Sequence, residues 1–297
     1  MTVESETIRA YRERVETALA KLLDELLLGS VPEVAEPIRY AVLGPGKRIR
    51  PLLLMAACRA TGGDAERVAD LACSVEFVHA YSLVHDDLPC MDDDVLRRGR
   101  PTLHVRYGPG AAVLAGAALM PLAVRAIHRG AERMGLERET TADLVGRLAV
   151  AAGGAGMVGG QLLDLRAEGR EVTPEELVTI HRGKTARLIA ASVSMGAVAA
   201  GAGPERVRQL ESFGMDLGLA FQATDDILDM RGTTDQLGKV SGRDEVLRKA
   251  TYPAVFGLEE AERLSRELVR SAERRLDGLP QPDDLRIIAD WILARKN

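Results

Sequence analysis

His85-Asp86-Asp87-Leu88-Pro89-Cys90-Met91-Asp92-Asp93-Asp94 sets five carboxylates within nine residues. It follows a run containing Val75, Phe77, Val78, Tyr81, Leu83 and Val84 that reads as a buried helix. Carboxylates this close repel one another, and a fold tolerates them when something neutralises them. A divalent cation does so, and all-oxygen donors suit Mg²⁺ or Ca²⁺. The simpler alternative is a solvated acidic loop. Two neighbours favour the cation. The cluster runs directly into a basic block, Arg97-Arg98-Gly99-Arg100. A second acidic set, Asp225-Asp226-Ile227-Leu228-Asp229, lies far along the chain, with Asp225 and Asp226 each sharing a helix face with Asp229. Mg²⁺ held by few carboxylates keeps positions open for phosphate oxygens, and arginine adds a forked donor that matches them. Acid, metal and base together imply a diphosphate ligand.

Outward from this stretch, the composition points to helices. Of 297 residues, 46% are apolar but only 3% aromatic, so Ala, Leu, Val and Ile must build the core. Such a core suits close-packed helices better than a sandwich of strands. A formal charge of −5 argues against a nucleic-acid-binding surface. Cys58, Cys73 and Cys90 show no paired metal spacing and read as reduced thiols. No apolar run reads as membrane-spanning, and the charged N-terminus does not resemble a signal peptide, so a soluble cytoplasmic protein is expected.

The periodicity predicts helices over residues 2–28, 34–42, 51–60, 67–85, 111–129 (interrupted or kinked near Pro121) and 140–156. Further helices are predicted from Thr173 toward Gly196, and over 204–231, 259–276 and 283–293. No convincing strand, short-period repeat or dividing linker is visible, so one domain over 1–297 is expected. Gly44-Pro45-Gly46-Lys47-Arg48-Ile49-Arg50-Pro51 is a basic turn opening a helix, with Pro51 at its first position. Glu76 and His79 form a Glu-x-x-His pair that can ligate iron in helical bundles, but a second pair is missing. Gly159-Gly160 permits close helix contact, with Gln161 and Asp164 on one face. Gly183-Lys184-Thr185 looks like the end of a phosphate-binding loop, yet the upstream glycine and strand are absent. Residues 232–243 form a polar loop holding Lys239.

These motifs, in this order, resemble the trans isoprenyl diphosphate synthases, such as farnesyl and geranylgeranyl diphosphate synthases, across nearly the whole chain. The resemblance rests on Gly46 to Pro51, His85 to Asp92, Gly160-Gln161 with Asp164, Gly183-Lys184-Thr185, Phe221-Gln222, Asp225 to Asp229, Lys239, and Lys249-Ala250-Thr251-Tyr252-Pro253. It implies an all-α bundle around a deep central cavity, a homodimer, and three Mg²⁺ ions per site, with Mn²⁺ as a substitute. It implies that Asp86, Asp92 and Asp225 ligate metal, supported by Asp87, Asp226 and Asp229. Arg97, Lys184 and Lys239 are expected at an allylic diphosphate, with Thr185 and Gln222 near the reacting end. Lys47, Arg50, His79 and Arg98 are expected at isopentenyl diphosphate, and Lys249 among the substrate-binding residues. The reaction implied is attack of the isopentenyl double bond on an allylic cation. Tyr81, one turn before Asp86, is expected to plug the product tunnel and favour farnesyl (C15) over geranylgeranyl (C20) diphosphate. Val95 and Ala117 stand where relatives typically carry Asp, and Pro45 where they carry Gly. The alternatives are a non-catalytic partner subunit of the same fold, a terpene cyclase, which would not need a second diphosphate site, and a di-iron protein.

Overall fold

The computed structural model describes residues 5–231 and 249–293. Among them the chain is helical, as expected. The long elements are α1 (Glu6–Leu26), α2 (Pro32–Val42), α3 (Ile49–Ala60), α4 (Ala69–Asp86), α6 (Pro109–Met134) and α7 (Arg138–Ala152), with a short α5 at Leu103–Tyr107. Then follow α8 (Met157–Ala167), α9 (Pro174–His181), α10 (Arg187–Ala199) and α11 (Pro204–Arg231). A short α12 (Tyr252–Phe256), α13 (Leu258–Arg274) and α14 (Asp283–Leu293) close the described chain.

The helices are ordered by how much of each is apolar. Helix α1 buries one stripe, Ile8, Tyr11, Val15, Leu19, Leu22 and Leu26, and starts at Ser5, whose hydroxyl accepts from the Ile8 amide at 3.3 Å. Helices α4 and α10 bury side chains around most of their circumference and therefore sit inside. Phe77, Val75 and Val78 on α4 and Val193 and Met195 on α10 are fully buried. Burial of each such side chain stabilises the fold by about 1.5–3 kcal/mol. Helices α4 and α6 pack against each other, as do α3 and α10, and α10 and α11. Alanine-rich faces allow this close approach.

Several expected boundaries need correction. Helix α3 begins at Ile49, not Pro51, because Arg48 takes a left-handed conformation (φ 53°) and ends the turn earlier. Helix α6 runs through Pro121 without interruption. The stretch expected at 140–156 ends at Ala152, where Gly153-Gly154 breaks it before α8. A two-stranded hairpin pairs Leu96 with Pro101 and Arg97 with Arg100, where no strand was expected. Its turn residues Arg98 and Gly99 both have positive φ, 54° and 73°, the requirement of a tight I′ turn. Finally, α6 and the α7–α8 stretch are each long and apolar enough to cross a membrane by length and composition alone, contrary to the sequence reading, and 44% of each apolar window is buried against the rest of the protein.

Candidate active site

A cavity of about 820 Å³ opens between α4, α8, α11 and the basic turn before α3. Its depth comes from local backbone chemistry. Helix α4 ends at Asp86 with Val84 still buried, so its last carboxylate is delivered to the cavity wall. The chain then folds back, and the Asp92 amide donates to the Asp86 carbonyl at 2.8 Å. Asp92 therefore returns beside Asp86 despite the residues inserted between them. Across the cavity, α11 supplies Asp225, Gln222 and Phe221.

Lys184 and Thr185 lie in a π-helical turn, Arg182–Ala186, between α9 and α10. The wider turn gives adjacent residues different outlooks from those of a regular helix. Both line the cavity. Gly160 on α8 makes room for this turn: a Cβ there would lie 2.0 Å from the Lys184 backbone nitrogen. The Lys184 ammonium donates to Asp164 at 2.5 Å. Burial opposes the charge on Lys184, but Asp164 and then Asp86 outweigh it and raise its pKa. Burial likewise opposes ionisation of Asp164, yet Lys184 holds its carboxyl below the usual range. For Asp86, burial raises the pKa to about 6, Lys184 opposes the rise, and Asp92 and Asp87 add to it.

The second aspartate set divides in two. Asp225 lines the cavity. Asp226 is buried and accepts from Gln222 Nε2 and from the Tyr252 amide, both at 2.9 Å. Gln222 Oε1 in turn accepts from the Thr185 hydroxyl at 2.8 Å. A chain of bonds thus runs from Tyr252 through Asp226 and Gln222 to Thr185 on the cavity wall. Asp229 is also buried. His181, near Asp226 at 4.0 Å and against the Tyr252 ring, is driven down to about 4 by burial.

The basic residues separate in the same way. Lys47, Arg50, His79 and Arg98 line the cavity, with Arg98 3.5 Å from the His79 ring nitrogen. Arg98 donates to the Pro45 carbonyl at 2.7 Å, so the hairpin turn is fastened to the basic turn. His79 is held neutral first by burial and then by the surrounding arginines. Arg97 does not reach the cavity wall: it binds Asp87 and, at 2.8 Å, Asp94. Lys249 pairs with Asp92 at 3.0 Å. Tyr81 also lines the cavity. Lys239 lies outside the described residues.

Glu76 corrects the iron reading. Its carboxylate accepts from the buried Arg48 guanidinium at 2.7 Å, and Arg48 also binds Glu16 at 2.7 Å and the Gly44 carbonyl at 2.7 Å. This triad fixes the basic turn. Nothing in the sequence marks Arg48 as different from Lys47 or Arg50, since its partners lie in distant helices. Gln161 was marked only as sharing a face with Asp164. It is 7% exposed and lines the cavity, and among the described residues neither of its amide atoms has a hydrogen-bond partner.

Among the described residues, no three His, Cys, Asp or Glu side chains already surround one metal-sized point. The donor chemistry nevertheless fits a hard cation. Asp86 and Asp225 offer only oxygen, and a cation would offset the burial and, secondarily, the neighbouring carboxylates that lift the Asp86 carboxyl.

The profile of one family, polyprenyl synthetase, matches residues 31–278. The farnesyl diphosphate synthase of Escherichia coli is 42% identical, covering 97% of this chain and 97% of that protein. The chloroplastic geranylgeranyl pyrophosphate synthase of Capsicum annuum is 40% identical over 100% of this chain and 81% of that protein. Among solved structures, a geranyltransferase from Helicobacter pylori complexed with magnesium and isoprenyl diphosphate superposes with a TM-score of 0.84 at 31% identity, covering 99% of this chain and 100% of that one.

Proposed function

The chain belongs to the polyprenyl synthetase family of short-chain prenyltransferases, and from that premise we propose that it joins isopentenyl diphosphate to an allylic diphosphate in a Mg²⁺-dependent reaction whose main product is farnesyl diphosphate. The observation that carries this reading is one cavity lined both by Asp86, Asp225 and Lys184 and by the further basic residues Lys47, Arg50 and Arg98. Two diphosphates need two charge-matched seats, and a terpene cyclase would need only one. Magnesium supplies charge neutralisation for the departing diphosphate, and Asp86, Asp92 and Asp225 are the residues to hold it, with Asp87, Asp226 and Asp229 in support.

The protein's own groups do the rest. Lys184, oriented by Asp164, and Lys239 hold the allylic diphosphate while its C–O bond breaks. Arg97 contributes by fixing Asp87. Thr185 and Gln222 aim their oxygens at the cationic carbon, and fixed dipoles of this kind stabilise a transition state more than the ground state. Lys47, Arg50, Arg98 and neutral His79 hold isopentenyl diphosphate so that its double bond attacks that carbon, and a proton is then lost. Lys249 keeps Asp92 in place. Tyr81 narrows the apolar part of the cavity and limits the chain to farnesyl; the geranylgeranyl alternative rests on the relatives that bear that name. Cytoplasmic location and a homodimer belong to the same reading. The homodimer is supported by Val113, Leu114 and Val124 on α6, which are 44%, 62% and 37% exposed.

Two-substrate kinetics tests the two seats. Arg50→Ala should raise KM for isopentenyl diphosphate more than for the primer, and Lys239→Ala should do the reverse. An Arg50→Ala defect confined to the primer would reverse the assignment.

A further inference from the structure

Tyr81 does not hold its place alone. Its ring meets the His85 imidazole edge-on, with centroids 4.6 Å apart and planes at 61°. Residues four apart on a helix cover one another, and the side chain of the later residue leans back over the earlier. His85 in turn lies against α6. Its Nε2 is 3.3 Å from the Val113 carbonyl, within hydrogen-bonding reach. It occupies a slot that exists because residue 116 is glycine. A Cβ on Gly116 would lie 2.3 Å from His85 Nε2 and 2.4 Å from Cδ2, distances no real methyl and ring can share. Gly116 has no positive φ and sits within α6, where glycine weakens a helix relative to alanine. Conformation does not require glycine at this position; the imidazole does.

We propose that Gly116 and His85 are specificity-determining residues that act through Tyr81: the glycine seats the imidazole, and the imidazole braces the tyrosine ring where it limits product length. This rests on the prenyl-transfer reading and on the place of Tyr81 in the cavity wall. His85 also lines the cavity, so it is both brace and wall. Gly116 makes no contact with the cavity and acts only as a positioning residue.

Product-length distributions, rather than rates, read this relay, because a variant that merely loosens Asp86 loses turnover without changing chain length. His85→Ala should release the tyrosine and move the main product up by at least one isoprene unit. In a Tyr81→Ala background the same change should add no further length. Gly116→Ala should shift the distribution away from wild type by displacing the imidazole. Combined with His85→Ala, the added methyl finds space, so the double variant should fold and match His85→Ala alone. That pairing keeps the test usable where Gly116→Ala by itself does not fold. Unchanged lengths in His85→Ala, alongside longer products from Tyr81→Ala, would overturn the relay and leave the plug standing. Equal, additive lengthening by His85→Ala with and without Tyr81 would also overturn it. If the wild type joined no isoprene units, the functional reading itself would fail, an outcome distinct from both.

Discussion

Asp86 and Asp225 matter individually because each puts a carboxylate on the cavity wall, whereas Asp226 spends both oxygens on Gln222 and Tyr252. Asp86→Ala or Asp225→Ala should lower turnover by roughly two orders of magnitude or more, the usual scale for lost charge stabilisation in a transition state. The fold should survive, since removing one of several neighbouring carboxylates relieves repulsion. Near-wild-type turnover in both variants, with normal circular dichroism, would remove the metal assignment. His181 governs a different property. Its pKa in the folded protein is about 4, below the ordinary 6.5, because burial favours the neutral ring. Between those values the unfolded chain takes up a proton that the native ring refuses. The stability it contributes is therefore present above the ordinary value and lost as pH falls toward about 4, by up to about 3 kcal/mol. The thermal midpoint should drop on acidification through this window, and less steeply in His181→Gln. Parallel pH curves would show that His181 carries no such linkage.

At the scale of elements, the legible features were those encoded locally. The acidic sets, the basic turn and the buried stripe of α1 are patterns within a few turns of helix, and each stands where the sequence put it. Features set by distant partners were not legible. Arg48 is set apart from its neighbours by its ion pairs with Glu16 and Glu76 on distant helices. The π turn at Arg182–Ala186 lies directly against Gly160 of α8, a contact between segments far apart in the sequence. The I′ turn at Arg98-Gly99 was hidden because the strands it joins are two residues long. The π turn gives the element-scale prediction. Gly160→Ala drives a methyl into the Lys184 backbone, where no flexible side chain can yield. Helix α8 must shift, pulling Asp164 off Lys184. Overpacking of this kind costs about 1–3 kcal/mol, and KM for the allylic substrate should rise several-fold. Unaltered stability and KM would mean that the two backbones are not held together as the contact implies.

The whole molecule brings two distant aspartate sets and a basic turn around one cavity, and it leaves an apolar strip on α6 open to solvent. A second copy covering that strip would bury Leu114 and Val124. Sedimentation should find a dimer, and Leu114→Glu with Val124→Glu should yield monomers; a monomeric wild type would contradict this. The central claim is the condensation itself, and one measurement addresses it most directly. Purified protein is incubated with labelled isopentenyl diphosphate and geranyl diphosphate, with Mg²⁺ or with excess chelator, and the chain lengths of the labelled products are resolved. The account predicts labelled farnesyl diphosphate as the main product with Mg²⁺, none with chelator, and recovery when Mg²⁺ is restored. Absence of any labelled prenyl product in the presence of Mg²⁺, from protein shown to be folded, would contradict it.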